Sequence, residues 1–220
     1  MTIRWTALVV MGAMTFSAAG GLAGPSETVV ALHAVPATDG AGACGDLQDL
    51  ACSGYSVDVS DPSGGAYVYL VVARGDPEIG VAGVSFAYDT STLVAVDGWT
   101  LCADSQTGHQ SGTVISWNPD SGCQRNVIGS DGVHAVAGVF HVSAVGNGFM
   151  TVHPNQEVNP PRLSVMGCDG SEATAVGSWF VTFGDLIDDG VNPCLSVVPV
   201  RASTWGRLKS LWGSLERDDP

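Results

Sequence analysis

Basic residues are scarce in this chain. Its 220 residues include 8 Lys and Arg against 22 Asp and Glu, which gives a formal net charge of −14. Such a chain repels phosphates, so nucleic acid and anionic lipid are excluded as ligands. Glutamate is scarce as well, because seventeen of the acids are Asp, a residue of turns and loops. Together with 29 Gly and 11 Pro, this composition favours many short strands joined by turns.

Long apolar runs and paired cysteine motifs are also missing. Beyond the N-terminus, no apolar run reaches the ~18 residues that cross a bilayer, so no transmembrane span is predicted. No Cys-x-x-Cys pair occurs, which argues against a zinc ribbon or a thioredoxin-type redox site.

The N-terminus has the layout of a secretory signal peptide. In Met1–Ala23, Arg4 precedes an apolar run from Trp5 to Phe16, and small residues follow. We therefore expect an exported protein, located outside the cell, on its surface or in a periplasm. Disulfides persist in such compartments.

All six cysteines follow the signal peptide, so we expect no free thiol. Six cysteines allow 15 pairings, and sequence alone does not choose among them. We predict that sequence neighbours pair, so that each bridge closes one loop: Cys44–Cys52, Cys102–Cys123 and Cys168–Cys194.

Nine segments alternate between apolar and polar residues or are rich in β-branched and aromatic residues. This pattern, with turn signals between the segments, predicts one antiparallel nine-stranded β-sandwich over residues 24–200. The predicted strands are Val29–His33, Tyr67–Ala73, Val81–Tyr88, Leu93–Val96, Thr113–Trp117, His134–Val145, Phe149–His153, Leu163–Met166 and Trp179–Phe183. Shared parity predicts a core of Val84, Phe86, Phe140, Val142, Val152, Val181 and Phe183.

The strands around Gly146-Asn147-Gly148 suggest a hairpin. A three-residue loop sorts apolar from polar residues better than a two-residue loop, and it pairs residue 145 with residue 149. That register places His141 beside His153 on the outer face, close enough to share a metal. Two histidines do not complete a zinc site, so ordinary surface histidines are the alternative.

Few other residues suggest ligand chemistry. The loop with Asp185, Asp188, Asp189 and Asn192 has the composition of a calcium loop without EF-hand spacing, so calcium is the one cofactor left open. Trp117 and Trp179 share faces with core residues, whereas Trp99 beside Asp97-Gly98 is a candidate interaction residue.

The C-terminal residues 201–220 differ from the rest of the chain. Ser203 is a potential N-cap, and Trp205, Leu208, Leu211, Trp212 and Leu215 recur at helical spacing. We predict a short amphipathic helix over Ser203–Leu215. Trp205 and Trp212 would let it dock on the sandwich itself, on a partner or on export machinery.

One stretch resembles a known family. The run Tyr67–Ala73, then Gly80–Asp89 ending in Phe-Ala-Tyr-Asp, then Leu93–Val96, is similar to the opening strands of bacterial cohesin-like domains. Gly132–Val142 and Gly148–Val152 resemble that fold's later strands, and carbohydrate-binding modules share the sandwich. The resemblance covers about residues 67–152. It implies a jelly-roll sandwich in which the leucine tucks under the sheet and which binds a protein or a glycan without catalysis.

Two functional classes remain open from the sequence. The first is an exported, non-catalytic binding or structural module. The second is a secreted hydrolase whose site is assembled from loops, because no nucleophile elbow in a strand–helix context and no carboxylate pair stands out.

Overall fold

Two β-sheets pack face to face in the computed structural model, which describes residues 28–37, 41–176, 179–186 and 190–194. The predicted signal peptide and the predicted tail helix lie outside these residues. The described part contains twelve strands: β1 (Val29–Pro36), β2 (Asp58–Val59), β3 (Ala66–Gly75), β4 (Val81–Thr90), β5 (Val94–Leu101), β6 (Ser105–His109), β7 (Gly112–Ser116), β8 (Val133–Ala144), β9 (Gly148–His153), β10 (Ser164–Gly167), β11 (Glu172–Thr174) and β12 (Trp179–Phe183).

Nine of these strands are the predicted ones, and three short strands are additional. β2 has two residues, β11 has three exposed residues, and β6 is exposed along its whole length. None has an apolar face, so none shows the alternation that marks a half-buried strand. Each is held by pairing with a neighbour, and the pair of β2 with β12 is parallel, which the antiparallel prediction did not include.

The first sheet has the strand order β1-β3-β8-β5, and the second has the order β11-β10-β4-β9-β12-β2, with β7 on β4 and β6 on β7. Because successive side chains of a strand point to opposite faces, each sheet sends one set of residues into the space between them. The predicted core is confirmed: all seven of its residues lie there and are at most 3% exposed.

The connection from β8 to β9 crosses from one sheet to the other, so the predicted hairpin is wrong. β8 pairs with β3 and β5, whereas β9 pairs with β4 and β12. Val142 therefore faces Val152 across the core rather than beside it in one sheet. The face assignment holds because parity along each strand is the same in both arrangements.

All six cysteines are paired, as predicted, but the predicted pairing is wrong. The disulfides are Cys44–Cys102, Cys52–Cys194 and Cys123–Cys168, with Cα–Cα distances of 5.4, 5.4 and 5.9 Å. Cys44 and Cys52, neighbours in sequence, hold the same segment to two distant parts of the chain. Bridges that close long loops restrict the unfolded chain most, each by about 4 kcal/mol in the chain-entropy model.

That segment, residues 41–56, is called the stapled cover below. It crosses the outer face of the first sheet and buries Leu47, Cys52 and Tyr55 against it. The sheet residues beneath it are Val29, Ala31, Tyr69, Val71, Ala73 and Val139. The first sheet therefore has apolar packing on both faces.

Candidate functional site

A cavity of about 440 Å³ opens where the stapled cover meets the β8 end of the first sheet. Part of its wall is apolar: Leu47 of the cover, Val71 of β3, Val136 of β8 and the Cys44–Cys102 disulfide. We call this cavity the cover cleft.

The remaining wall of the cover cleft is polar. Gln48 and Asp49 contribute from the cover, and Gln124 and Asn126 from the connection between β7 and β8. The amide NH₂ group of Asn126 donates to the Gln48 carbonyl oxygen at 2.9 Å. This bond joins the two sides of the cleft.

His134 at the start of β8 lines the cleft and is 5% exposed. Its Nδ1 lies 3.0 Å from Tyr55 Oη, and its buried Nε2 has no hydrogen-bond partner among the described residues. Burial lowers the pKa of His134, against the opposing effect of the Asp131 carboxylate. Burial, and secondarily Asp131, raises the pKa of Tyr55. Both rings are therefore neutral at pH 7.

A second polar group fastens the cover beside the cleft. Tyr69 Oη donates to Asp46 Oδ2 at 2.6 Å and accepts the Gly42 N–H at 2.7 Å. The hydrogen bond from Tyr69 lowers the pKa of Asp46, and burial raises the pKa of Tyr69 to about 12. His33 Nδ1 accepts the Ser56 N–H at 2.8 Å, and burial lowers the pKa of His33 to about 4.

An exposed apolar pair lies at the opposite end of the first sheet. Leu93, just before β5, is 45% exposed, and Val145, just after β8, is 85% exposed. The Val145 N–H donates to the Leu93 carbonyl oxygen at 3.0 Å, so the two residues are fixed side by side. We call this pair the apolar tip. The cohesin resemblance implies a leucine tucked under the sheet, but here Val94 takes that place at 4% exposure.

Trp99 on β5 covers the seam between the sheets on the open side of the sandwich. It is partly buried, its ring centroid lies 4.3 Å from that of Phe140, and its Nε1 donates to Gln106 Oε1 at 2.7 Å. Of the other two sandwich tryptophans, Trp117 is 4% exposed and Trp179 is partly buried. Trp205 and Trp212 lie outside the described residues.

His141 and His153 do not meet, so the predicted register is wrong here too. His141 lies on the first sheet, where its Nε2 is 3.1 Å from Thr100 Oγ1. His153 lies on the second sheet, with Nε2 3.0 Å from Asp89 Oδ2. Within the described ranges, no group of three or more His, Cys, Asp or Glu is placed to hold a metal ion.

The predicted calcium loop is only partly described, because Asp188 and Asp189 lie outside the described residues. Asp185 is exposed. Asn192 is 4% exposed, its Nδ2 donates to the carbonyl oxygens of Cys52 and Tyr55, and its Oδ1 accepts the Cys194 N–H. Its side chain thus ties the Cys194 segment to the stapled cover.

The cover cleft was not predicted from the sequence. Its walls come from four separate segments that the disulfides and the β7–β8 connection bring together. None of them carries a motif, and a single histidine in an alternating strand gives no signal of its own.

No helix in the described part of the chain is long and apolar enough to cross a membrane. No protein-family model matches the chain, and no curated protein matches it.

Two solved structures are similar. A cohesin module from a Clostridium perfringens ATCC13124 family 33 glycoside hydrolase has a TM-score of 0.40 and 10% identity, over 71% of this chain and 98% of that module. A chain of the CaDoc0917–CaCohA2 complex has the same score and identity, over 58% of this chain and 93% of its own. Both agree with the cohesin-like sandwich that the sequence resemblance predicts. The likeness concerns the fold alone, so function must be argued from this chain's own surface.

Proposed function

We propose that this chain is an exported, non-catalytic module that captures a protein partner through the apolar tip. The observation that carries the proposal is the exposed, adjacent pair of Leu93 and Val145. Single exposed apolar residues are ordinary on a protein surface, but a fixed pair is not needed for folding.

The other large exposed apolar residues of the described chain lie on separate elements. Val127 belongs to the β7–β8 connection, Met166 to β10, and Val176 follows β11. Only at the tip do two such residues lie on hydrogen-bonded neighbouring positions within the described residues.

The loops of the tip are held in place before any partner binds. Ser91 exchanges hydrogen bonds with Phe149, since its N–H donates to the Phe149 carbonyl oxygen and its Oγ accepts the Phe149 N–H. Asn147 Oδ1 accepts the Asp185 N–H at 2.9 Å. A preorganised apolar patch with polar neighbours costs little ordering entropy on binding and is typical of the centre of a protein interface.

Three disulfides and the predicted signal peptide support export, because such bridges persist in oxidising compartments. A net charge of −14 further favours a partner that is not itself strongly acidic.

The test immobilises the disulfide-bonded protein, captures partners from the secreted fraction of its source, and titrates the purified partner. Leu93→Asp with Val145→Asp should weaken binding at least ~30-fold, because buried apolar anchors contribute about 2 kcal/mol or more each. Val127→Asp is the matched control, with similar exposure at 46% on another element. Retention of the partner by the tip variant, or capture of polysaccharide only, would contradict the proposal.

A further inference from the structure

We propose that the cover cleft is a second binding site, one that takes an aliphatic primary ammonium group. The group can belong to a lysine side chain of a protein or to a free alkylamine. The site is separate from the apolar tip, because β5 and β8 run between them. Leu93 precedes β5 and Cys102 follows it, and eight residues of strand span about 25 Å.

The apolar wall suits an alkyl chain. Val71 is 0% exposed, Leu47 is 6% exposed, and Val136 and the Cys44–Cys102 disulfide complete this side. No aromatic residue lines the cavity among the described residues, so a planar aromatic ligand would find no ring to stack on.

The polar wall presents acceptors. The NH₂ group of Gln124 donates to the Gly122 carbonyl oxygen at 2.6 Å, and that of Asn126 donates to Gln48. Their amide oxygens, together with the Asp49 carboxylate, are thereby left as acceptors for a ligand. An alkylammonium ion carries three donors and no acceptor, which matches this set.

Charge selects in the same direction. Asp49 is the charged residue of the lining, and neither Lys nor Arg lines the cleft among the described residues. Burial lowers the pKa of His134, so this ring adds no positive charge at pH 7. A carboxylate or phosphate ligand would meet Asp49 without a compensating cation.

Three probes of nearly equal size separate charge from shape: n-butylammonium, n-butanol and butyrate. Each is titrated into the disulfide-bonded protein while NMR follows the Val71 and Val136 methyl groups and the Gln124 and Asn126 side-chain amides. We expect saturable shifts with n-butylammonium, at least tenfold weaker binding of n-butanol, and none of butyrate. Equal binding of all three, or no shift at these residues with 50 mM n-butylammonium, would overturn the proposal.

Asp49→Asn removes the carboxylate and keeps the side-chain shape. It should weaken n-butylammonium binding about fivefold or more, as expected for an ion pair near the surface, while Asp185→Asn, another exposed loop Asp, should leave it unchanged. An equal effect of both substitutions would reduce the interaction to the general charge of the chain, and the cleft assignment would fail.

Two further probes distinguish the sources of the ammonium group. Blocked Nα-acetyl-lysine methylamide represents a protein side chain, and cadaverine represents a free amine. Tighter binding of the first supports a lysine-bearing partner, and tighter binding of the second supports a free diamine. Binding of neither would contradict the ammonium site. The tip variant Leu93→Asp with Val145→Asp should bind all these amines normally, so this result is independent of the proposed function.

Discussion

Replacing Phe140 by Ala should cost this protein a large share of its stability. Phe140 is 2% exposed and lies on β8 between two aromatic rings, with centroid distances of 4.9 Å to Tyr88 and 4.3 Å to Trp99. Truncation of a buried Phe costs about 3–5 kcal/mol through lost burial and the cavity left behind. For a chain of this size, 1 kcal/mol shifts the melting temperature by about 2–4 °C, so we expect a drop of about 10 °C.

The assay is thermal and chemical unfolding of the oxidised protein, followed by circular dichroism. Phe180→Ala is the matched control: it removes the same atoms from β12, where Phe180 is only partly buried, and it should lower the melting temperature much less. A Phe140→Ala protein that unfolds at the wild-type temperature would refute the assignment of Phe140 to the space between the sheets.

Two further predictions follow from the same core and from the cover. Gly138→Ala should displace Trp99, because an added Cβ would overlap its Cζ2 and Cη2 atoms and lie 2.8 Å from the Thr100 carbonyl oxygen; tryptophan emission should shift to the red, whereas Gly146→Ala should be silent. Stability should fall as the pH drops from about 6.5 towards 4, because His33 has its pKa lowered from 6.5 to about 4 and the unfolded chain binds more protons in that window. His33→Gln should reduce this dependence in unfolding curves measured at several pH values, and an unchanged slope would show that His33 does not contribute to it.

Strand positions and inward faces could be predicted because both follow from residue order alone. On β4, for example, Val84 and Phe86 alternate with Gly83 and Ser85, and only one face can be buried. The same alternation is absent from the exposed β6, which exists because β7 pairs with it. Local pattern therefore identifies the strands that form the core and misses those that are added at its edges.

Sheet membership could not be predicted in the same way. A short Gly-Asn-Gly connection between two strands suits both a hairpin and a crossing between sheets, and both arrangements bury Val142 and Val152. The choice depends on which strands compete for the edges of β8, and β3 and β5 occupy both of them. That competition involves residues 40 to 80 positions away, so it leaves no trace in the local sequence.

The stapled cover explains why the disulfides and the cleft were hidden. Nearest-neighbour pairing assumes that each bridge closes a local loop, whereas Cys52 and Cys194 are 142 positions apart. Only the folded sheet shows that Leu47 and Tyr55 have an apolar face to cover. The cover cleft exists because that covering stops short of His134 and Val136 on β8.

The cover also limits where this protein can bind a partner. A sheet with one free face can offer that face, but here residues 41–56 bury the outer face of the first sheet around Tyr69 and Val139. Binding through that face would require the cover to leave, against two disulfides and the hydrogen bond of Tyr69 to Asp46. The ends of the sheet remain, and both proposed sites lie there: the apolar tip at the Leu93 end and the cover cleft at the Cys102 end. Because β5 and β8 connect them as one paired unit, both sites can be occupied at once without rearranging the core.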